Sequence, residues 1–243
     1  MNKNLLLLTF SQVFGFTAAT ITVFLSGIIG SQITSIKFLS TLPTAIYVVG
    51  TAIFTIFAAR IMSKIGRRLG FIFAALGSSA ASLLGAFAIS QQNFILFCVS
   101  CLILGMGAAF SHQYRFAAAE SVEKEKAPKA ISILMLAGVV SAFLGITTAN
   151  YTKNLIPDYL YVGSYLMLAS FTFIPAILLF FYKNNEKTII DSNYKYSSGR
   201  RLFEIIVQPR FLQAVIAAGF AYAVMSFLMT ATPLSMHVME KMS

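Results

Sequence analysis

Residues 59–68 read Ala59-Arg60-Ile61-Met62-Ser63-Lys64-Ile65-Gly66-Arg67-Arg68, a short basic run set between two long apolar ones. Residues 38–59 before it and 69–89 after it contain no Asp, Glu, Lys or Arg. A membrane-spanning helix needs about 20 predominantly apolar residues, so the basic run reads as a loop between two spans. The same alternation extends in both directions. Further uncharged apolar runs cover residues 5–29, 94–112, 130–150, 159–182 and 211–236, which makes seven expected spans. The polar turn Ser90-Gln91-Gln92-Asn93 divides the third span from the fourth.

Composition excludes an ordinary soluble domain. Of the 243 residues, 58% are hydrophobic and only 11% charged, against roughly 25% charged in a typical soluble protein. A signal peptide would show a short apolar core before a small-residue cleavage site; the first apolar run is too long for that, so it reads as a span. The net charge of +10 would point to nucleic acid in a soluble protein. No basic face with interleaved aromatics exists outside the spans, so nucleic acid is not an expected partner; the lipid bilayer is.

The basic residues instead mark orientation. Arg60, Lys64, Arg67 and Arg68 follow span 2; Arg115, Lys124, Lys126 and Lys129 follow span 4. Lys183, Lys187, Lys195, Arg200, Arg201 and Arg210 follow span 6, and Lys3 precedes span 1. The other side has only Lys37, Lys153 and Lys241. By the positive-inside rule the expected location is the inner or plasma membrane, multi-pass, with a cytoplasmic N-terminus.

The longest polar break gives the expected organisation: a six-helix transmembrane domain over 1–182, a cytoplasmic linker over 183–208, and the first helix of a second, truncated transmembrane domain over 209–243. Residues 201–207 read as a short amphipathic piece on the membrane surface. A faint repeat crosses the linker. Gly15-Phe16, Ala19, Thr22 and Phe24 have counterparts at the same spacing in Gly219-Phe220, Ala223, Ser226 and Leu228, the pattern a second parallel repeat produces.

Enzyme signatures are missing, and the two histidines, His112 and His237, are far apart in sequence. No catalytic residue, metal or cofactor is implied. Cys98 and Cys101 lie inside an apolar span and read as packing residues. Gly77, Ala81 and Gly85, Gly105 and Ala109, and Gly138, Ser141, Gly145 and Thr148 form stripes of small residues that let helices approach closely. Static packing and a sliding seam both need such stripes. Polar stripes stand out more. Thr9, Gln12, Phe16 and Thr20 share one face of span 1; Thr44, Tyr47, Thr51 and Thr55 share one of span 2; Tyr222, Ser226 and Thr230 share one of span 7. Polar groups facing lipid are costly, so these faces are expected to point inward, either bonding helix to helix or lining a solute cavity. Gln12, Phe16, Thr20, Tyr47, Thr51, Tyr222 and Ser226 are the cavity candidates. Hydroxyls with aromatics suit a neutral or weakly polar solute. No Asp, Glu, Lys or Arg lies mid-span, where ion relays normally need one.

The 59–68 loop resembles the G-x-x-x-D-R-x-G-R-R loop of the major facilitator superfamily. Gly66, Arg67 and Arg68 match, while Ala59 stands for the first Gly, Ser63 for the Asp and Lys64 for the Arg. The R-x-x-Q-G motif of that family's fourth helix is degraded, with Cys101 and Leu104 before Gly105, and its antiporter Gly-Pro appears as Gly145-Ile146. The resemblance implies an all-α, six-helix transporter domain plus a seventh helix. It implies transport of a small-molecule solute by alternating access around a midplane site. It also implies a loop motif of Lys64, Gly66, Arg67 and Arg68 that holds cytoplasmic helix ends together, with Glu120 set to pair with Lys64 or Arg67. Family members have two six-helix halves, so a missing second transporter half is the expected partner. A non-transporting membrane structural or assembly protein is the alternative.

Overall fold

The computed structural model describes residues 2–183 and 207–235, apart from the side chains of 230, 233 and 234. It is all-helical, and seven of its helical stretches are long and apolar enough to cross a membrane. The chain divides into two compact units, residues 1–184 and 185–243. The amphipathic reading of 201–207 falls almost wholly outside the described residues.

In the first unit, α1 spans Lys3–Ile33, α2 Leu42–Ile65, α3 Arg67–Ser90, α4 Phe94–Ser111, α5 Tyr114–Glu120, α6 Ala127–Thr152 and α7 Val162–Phe180. The second unit contributes α8, Pro209–Leu234. Span 4 of the sequence thus becomes α4 plus α5, broken at His112–Gln113. Two differences from the hydropathy reading have local causes. The apolar run 38–59 places Pro43 inside a span, but a 3-10 turn over Lys37–Leu39 precedes it and α2 begins at Leu42, so Pro43 sits in the first turn, where its missing N–H costs nothing. Pro128 takes the same place in α6. At its other end α2 continues six residues past Ala59, through the basic run, because exposed Arg and Lys are good helix formers once they reach the polar interface.

Packing within the first unit gives two rows. α2 lies against α4, α4 touches α1, and α1 lies against α6; behind them α3 pairs with α7, and α3–α4 and α1–α7 contacts join the rows. Close backbone approach makes the front row possible. A Cβ on Gly105 of α4 would stand 2.2 Å from the Tyr47 carbonyl oxygen of α2, so only glycine fits that crossing. On α6, a Cβ on Gly145 would stand 2.7 Å from the Thr20 side chain and 3.3 Å from the Thr17 carbonyl oxygen of α1. Gly77, by contrast, has nothing within 4 Å of where its Cβ would be, so that member of the stripe makes no close crossing.

Two apolar clusters fill the unit. One joins Ile21, Leu25 and Ile29 of α1 to Phe97, Leu104 and Tyr165; Cys101 is fully buried within it and Cys98 is buried nearby. The other, toward the N-terminus, joins Leu5 and Leu8 to Met62, Phe71, Tyr114 and Leu179. Between the rows lies a cavity of ≈ 30 Å³ bordered by Gly15 and Thr22, Ser78, Gly107, Ser111 and Thr172.

Candidate solute face and basic-end latch

All the described basic clusters of the first unit meet at one end of the bundle. Gly66 is the single residue between α2 and α3. Its N–H donates to the Met62 carbonyl at 3.0 Å and its own carbonyl accepts from Gly70 N–H at 3.2 Å, so one residue caps both helices. Its φ of 83° with ψ of 156° lies in a region open essentially to glycine alone. The turn delivers Arg67 and Arg68 as the opening residues of α3. Arg67 donates a close hydrogen bond to the Glu120 carboxylate at the end of α5. Arg68 lies over the Phe180 ring, 5.0 Å from its centre, and donates to the Phe180 carbonyl at the end of α7.

The N-terminus joins the same end. Asn2 donates its amide to the Ser121 carbonyl. Asn4 donates to the Lys183 carbonyl at 2.9 Å and accepts the Lys183 N–H at 3.3 Å. Tyr182 is buried beside the ion pair. Burial raises its phenol pKa, the Arg67 charge lowers it and the Glu120 charge raises it, so the phenol stays protonated through the physiological range. Of the two partners open to Glu120 in the sequence, Arg67 takes it, while Lys64 is exposed. Ser63, at the position of the family's Asp, donates its hydroxyl to the Arg60 carbonyl of its own helix at 2.7 Å.

A part-exposed ion pair of this kind contributes about 0.2–1 kcal/mol, and the upper figure shifts a two-state balance about fivefold. Charge reversal at Arg67 or at Glu120 alone is therefore expected to lower transport by the whole protein several-fold, with part of the loss recovered by the double swap. Proteoliposome flux measures this; a double variant no better than either single one rules the pair out as a functional element.

The polar faces divide into two kinds. Thr51 brings its hydroxyl 2.9 Å from the Tyr47 carbonyl of its own helix and 3.1 Å from the Gly105 carbonyl of α4, so it joins α2 to α4. Tyr47 is buried at the same crossing. Thr44 bonds to Ser26 of α1 at 2.6 Å. Thr20 donates to the Phe16 carbonyl at 3.0 Å and packs on Gly145. The Thr51 and Thr44 hydroxyls thus join α2 to α4 and α1, while the Thr20 hydroxyl bonds within α1. Phe16 and Gln12 differ. Phe16 is part-exposed between α4 and α6, with its ring 5.5 Å from that of His112, tilted by 57°. Gln12 is 5% exposed, yet its side-chain oxygen has no protein partner. Tyr222 is exposed on α8 and Ser226 is part-exposed there; both belong to the second unit.

In the sequence His112 stands out only as one of two histidines, far from His237 along the chain. A histidine closing an otherwise uncharged span was the available signal. Asn2 and Asn4 gave none, because their partners lie 119 and 179 residues away.

The described residues thus form a multi-span membrane bundle whose helix middles carry no Asp, Glu, Lys or Arg and whose basic residues gather at one end. Residues 5–242 match the model of the Major Facilitator Superfamily, and the chain belongs to that superfamily. It is 34% identical over 234 residues to the riboflavin transporter RfnT of Brucella anthropi, covering 96% of this chain and 58% of the relative. It is 25% identical over 251 residues to the uncharacterized MFS-type transporter YddS of Bacillus subtilis, covering 96% and 56%. With YdeG, another uncharacterized MFS-type transporter of Bacillus subtilis, it shares 28% identity over 152 residues, 61% of this chain and 34% of that one. No solved structure matches. The chain thus spans little more than half the length of RfnT and YddS.

Proposed function

We propose that this chain forms the first half, and the opening helix of the second half, of a secondary transporter that moves a small neutral or weakly polar solute by alternating access. The observation that carries this reading is the contrast along α1 and α4. The rings that meet there, Phe16 and His112, are flanked by no Asp, Glu, Lys or Arg mid-helix, while the Arg67–Glu120 ion pair and the Asn4–Lys183 bonds lie at one end. An uncharged face within the membrane suits a solute without net charge, because an ionised one needs a counter-charge there. The name of the relative RfnT makes riboflavin the first solute to try. Uptake of labelled riboflavin beside a panel of neutral metabolites, with the whole transporter in proteoliposomes, tests the reading. Flux that does not saturate for any of them overturns it.

The membrane is the inner or plasma membrane in this reading, with the basic end cytoplasmic. Ser63 and Gln92 are both exposed, at opposite ends of α3 and its neighbours. Single cysteines placed there should react from opposite sides, Ser63→Cys only from the cytoplasm and Gln92→Cys only from outside. Reversed labelling overturns the orientation.

A further inference from the structure

The solute face carries a ring contact that joins its two central helices. Six other aromatic pairs occur among the described residues, and none has that position. Phe97–Tyr165 and Phe71–Tyr114 are closed within the core. Phe71–Tyr182 is buried at the basic end. Phe54–Phe57 and Phe180–Phe181 are local to one chain segment. Phe14–Phe171 faces the back row through α7. Phe16–His112 alone links α1 to the end of α4 with both rings part-exposed.

Resting on the transport reading above, we propose that Phe16 and His112 form an aromatic ledge that receives the flat ring of an uncharged heteroaromatic solute. Phe16 supplies a π face that accepts any flat ring, and stacking of this kind is insensitive to the ring's exact substituents. His112 adds a polar edge, since an imidazole offers both a donor and an acceptor nitrogen when neutral. One turn away on α1, Gln12 has a buried amide oxygen without a protein partner, and an orphaned acceptor of that kind is matched by a donor on a ring or its side chain. Thr20, on the other side, is already committed to the Phe16 carbonyl, which holds the backbone beneath the ring. The described spans carry no Asp, Glu, Lys or Arg mid-helix to neutralise an ionised group, so the ledge selects for ring area and hydrogen-bonding edges rather than for charge.

Three probes separate the ring from what is attached to it: riboflavin, with ring and polyol; lumichrome, with the ring alone; and ribitol, the polyol alone. Binding to the whole transporter in lipid nanodiscs is read from fluorescence of the two ring compounds, with protein-free nanodiscs correcting for partition. The expected result is saturable binding of riboflavin and lumichrome that ribitol does not displace. Phe16→Leu and His112→Ala should each weaken both ring compounds about fivefold or more, and Phe16→Tyr should retain them. Melting temperatures in the same nanodiscs identify any variant that has lost its fold; the comparison of Phe16→Tyr with His112→Ala then decides. Unchanged affinity in both Phe16→Leu and His112→Ala overturns the ledge, and so does displacement by ribitol. Saturable uptake of a ring-free solute with no binding of either ring compound overturns the ledge while leaving the transport reading intact, whereas failure of every solute overturns both.

Discussion

The 243-residue chain by itself is expected to insert into membranes and to show no saturable flux. A midplane cavity needs walls from two halves. In the proposed reading the described front row of α2, α4, α1 and α6 supplies one wall, and the chain covers 58% of the riboflavin transporter RfnT. Alone, that row leaves the part-exposed Phe16 and His112 against lipid or another copy, and polar groups left in hydrocarbon are costly. Self-association through this face is therefore expected alongside the lack of flux. Liposomes loaded with labelled riboflavin and a panel of neutral solutes make the measurement, with cross-linking for oligomeric state. Saturable, solute-specific flux from the chain alone, as monomer or dimer, shows that the unit of function has been misjudged.

The second large effect is expected at the α2–α4 crossing. Gly105→Ala puts a methyl 2.2 Å from the Tyr47 carbonyl oxygen and 3.1 Å from the Thr51 backbone nitrogen. Both are backbone atoms of a helix and cannot turn aside, so the helices must separate. Separation also loosens the contact of the Thr51 hydroxyl with the Gly105 carbonyl. Overpacking of this kind costs about 1–3 kcal/mol, and an interhelical hydrogen bond in a membrane adds about 0.6 kcal/mol. The melting temperature in detergent should fall by several degrees. Gly77→Ala is the control. It meets nothing within 4 Å and replaces a poor helix former with the best one, so it should leave the melting temperature unchanged or slightly raised. Equal melting temperatures for the two variants contradict the crossing geometry.

The same two glycines show how far a one-dimensional reading reaches. Gly77 and Gly105 look alike in the sequence: each heads a small-residue stripe in an apolar span. Only the crossing geometry separates them, because close approach is a property of two helices and the stripe records one. The polar stripes behave likewise. Thr51 and Gln12 were both cavity candidates, yet Thr51 reaches a carbonyl 54 residues away, while Gln12 keeps an unpartnered oxygen.

What the sequence determined by itself follows from the bilayer. Hydrocarbon admits long uncharged helices and little else, so seven spans and an excess of basic residues in alternate loops can be read directly, as can the glycine and twin arginines of the 66–68 turn. Tertiary structure decided the rest. α2 runs through the basic segment to Ile65, because hydropathy ends at the hydrocarbon boundary while helix propensity does not. Glu120 pairs with Arg67 rather than Lys64, because a single-residue turn at Gly66 sends the start of α3 toward the end of α5. His112 meets Phe16, 96 positions apart in the chain, because α1 and α4 lie side by side in the front row, and no local pattern encodes which spans become neighbours.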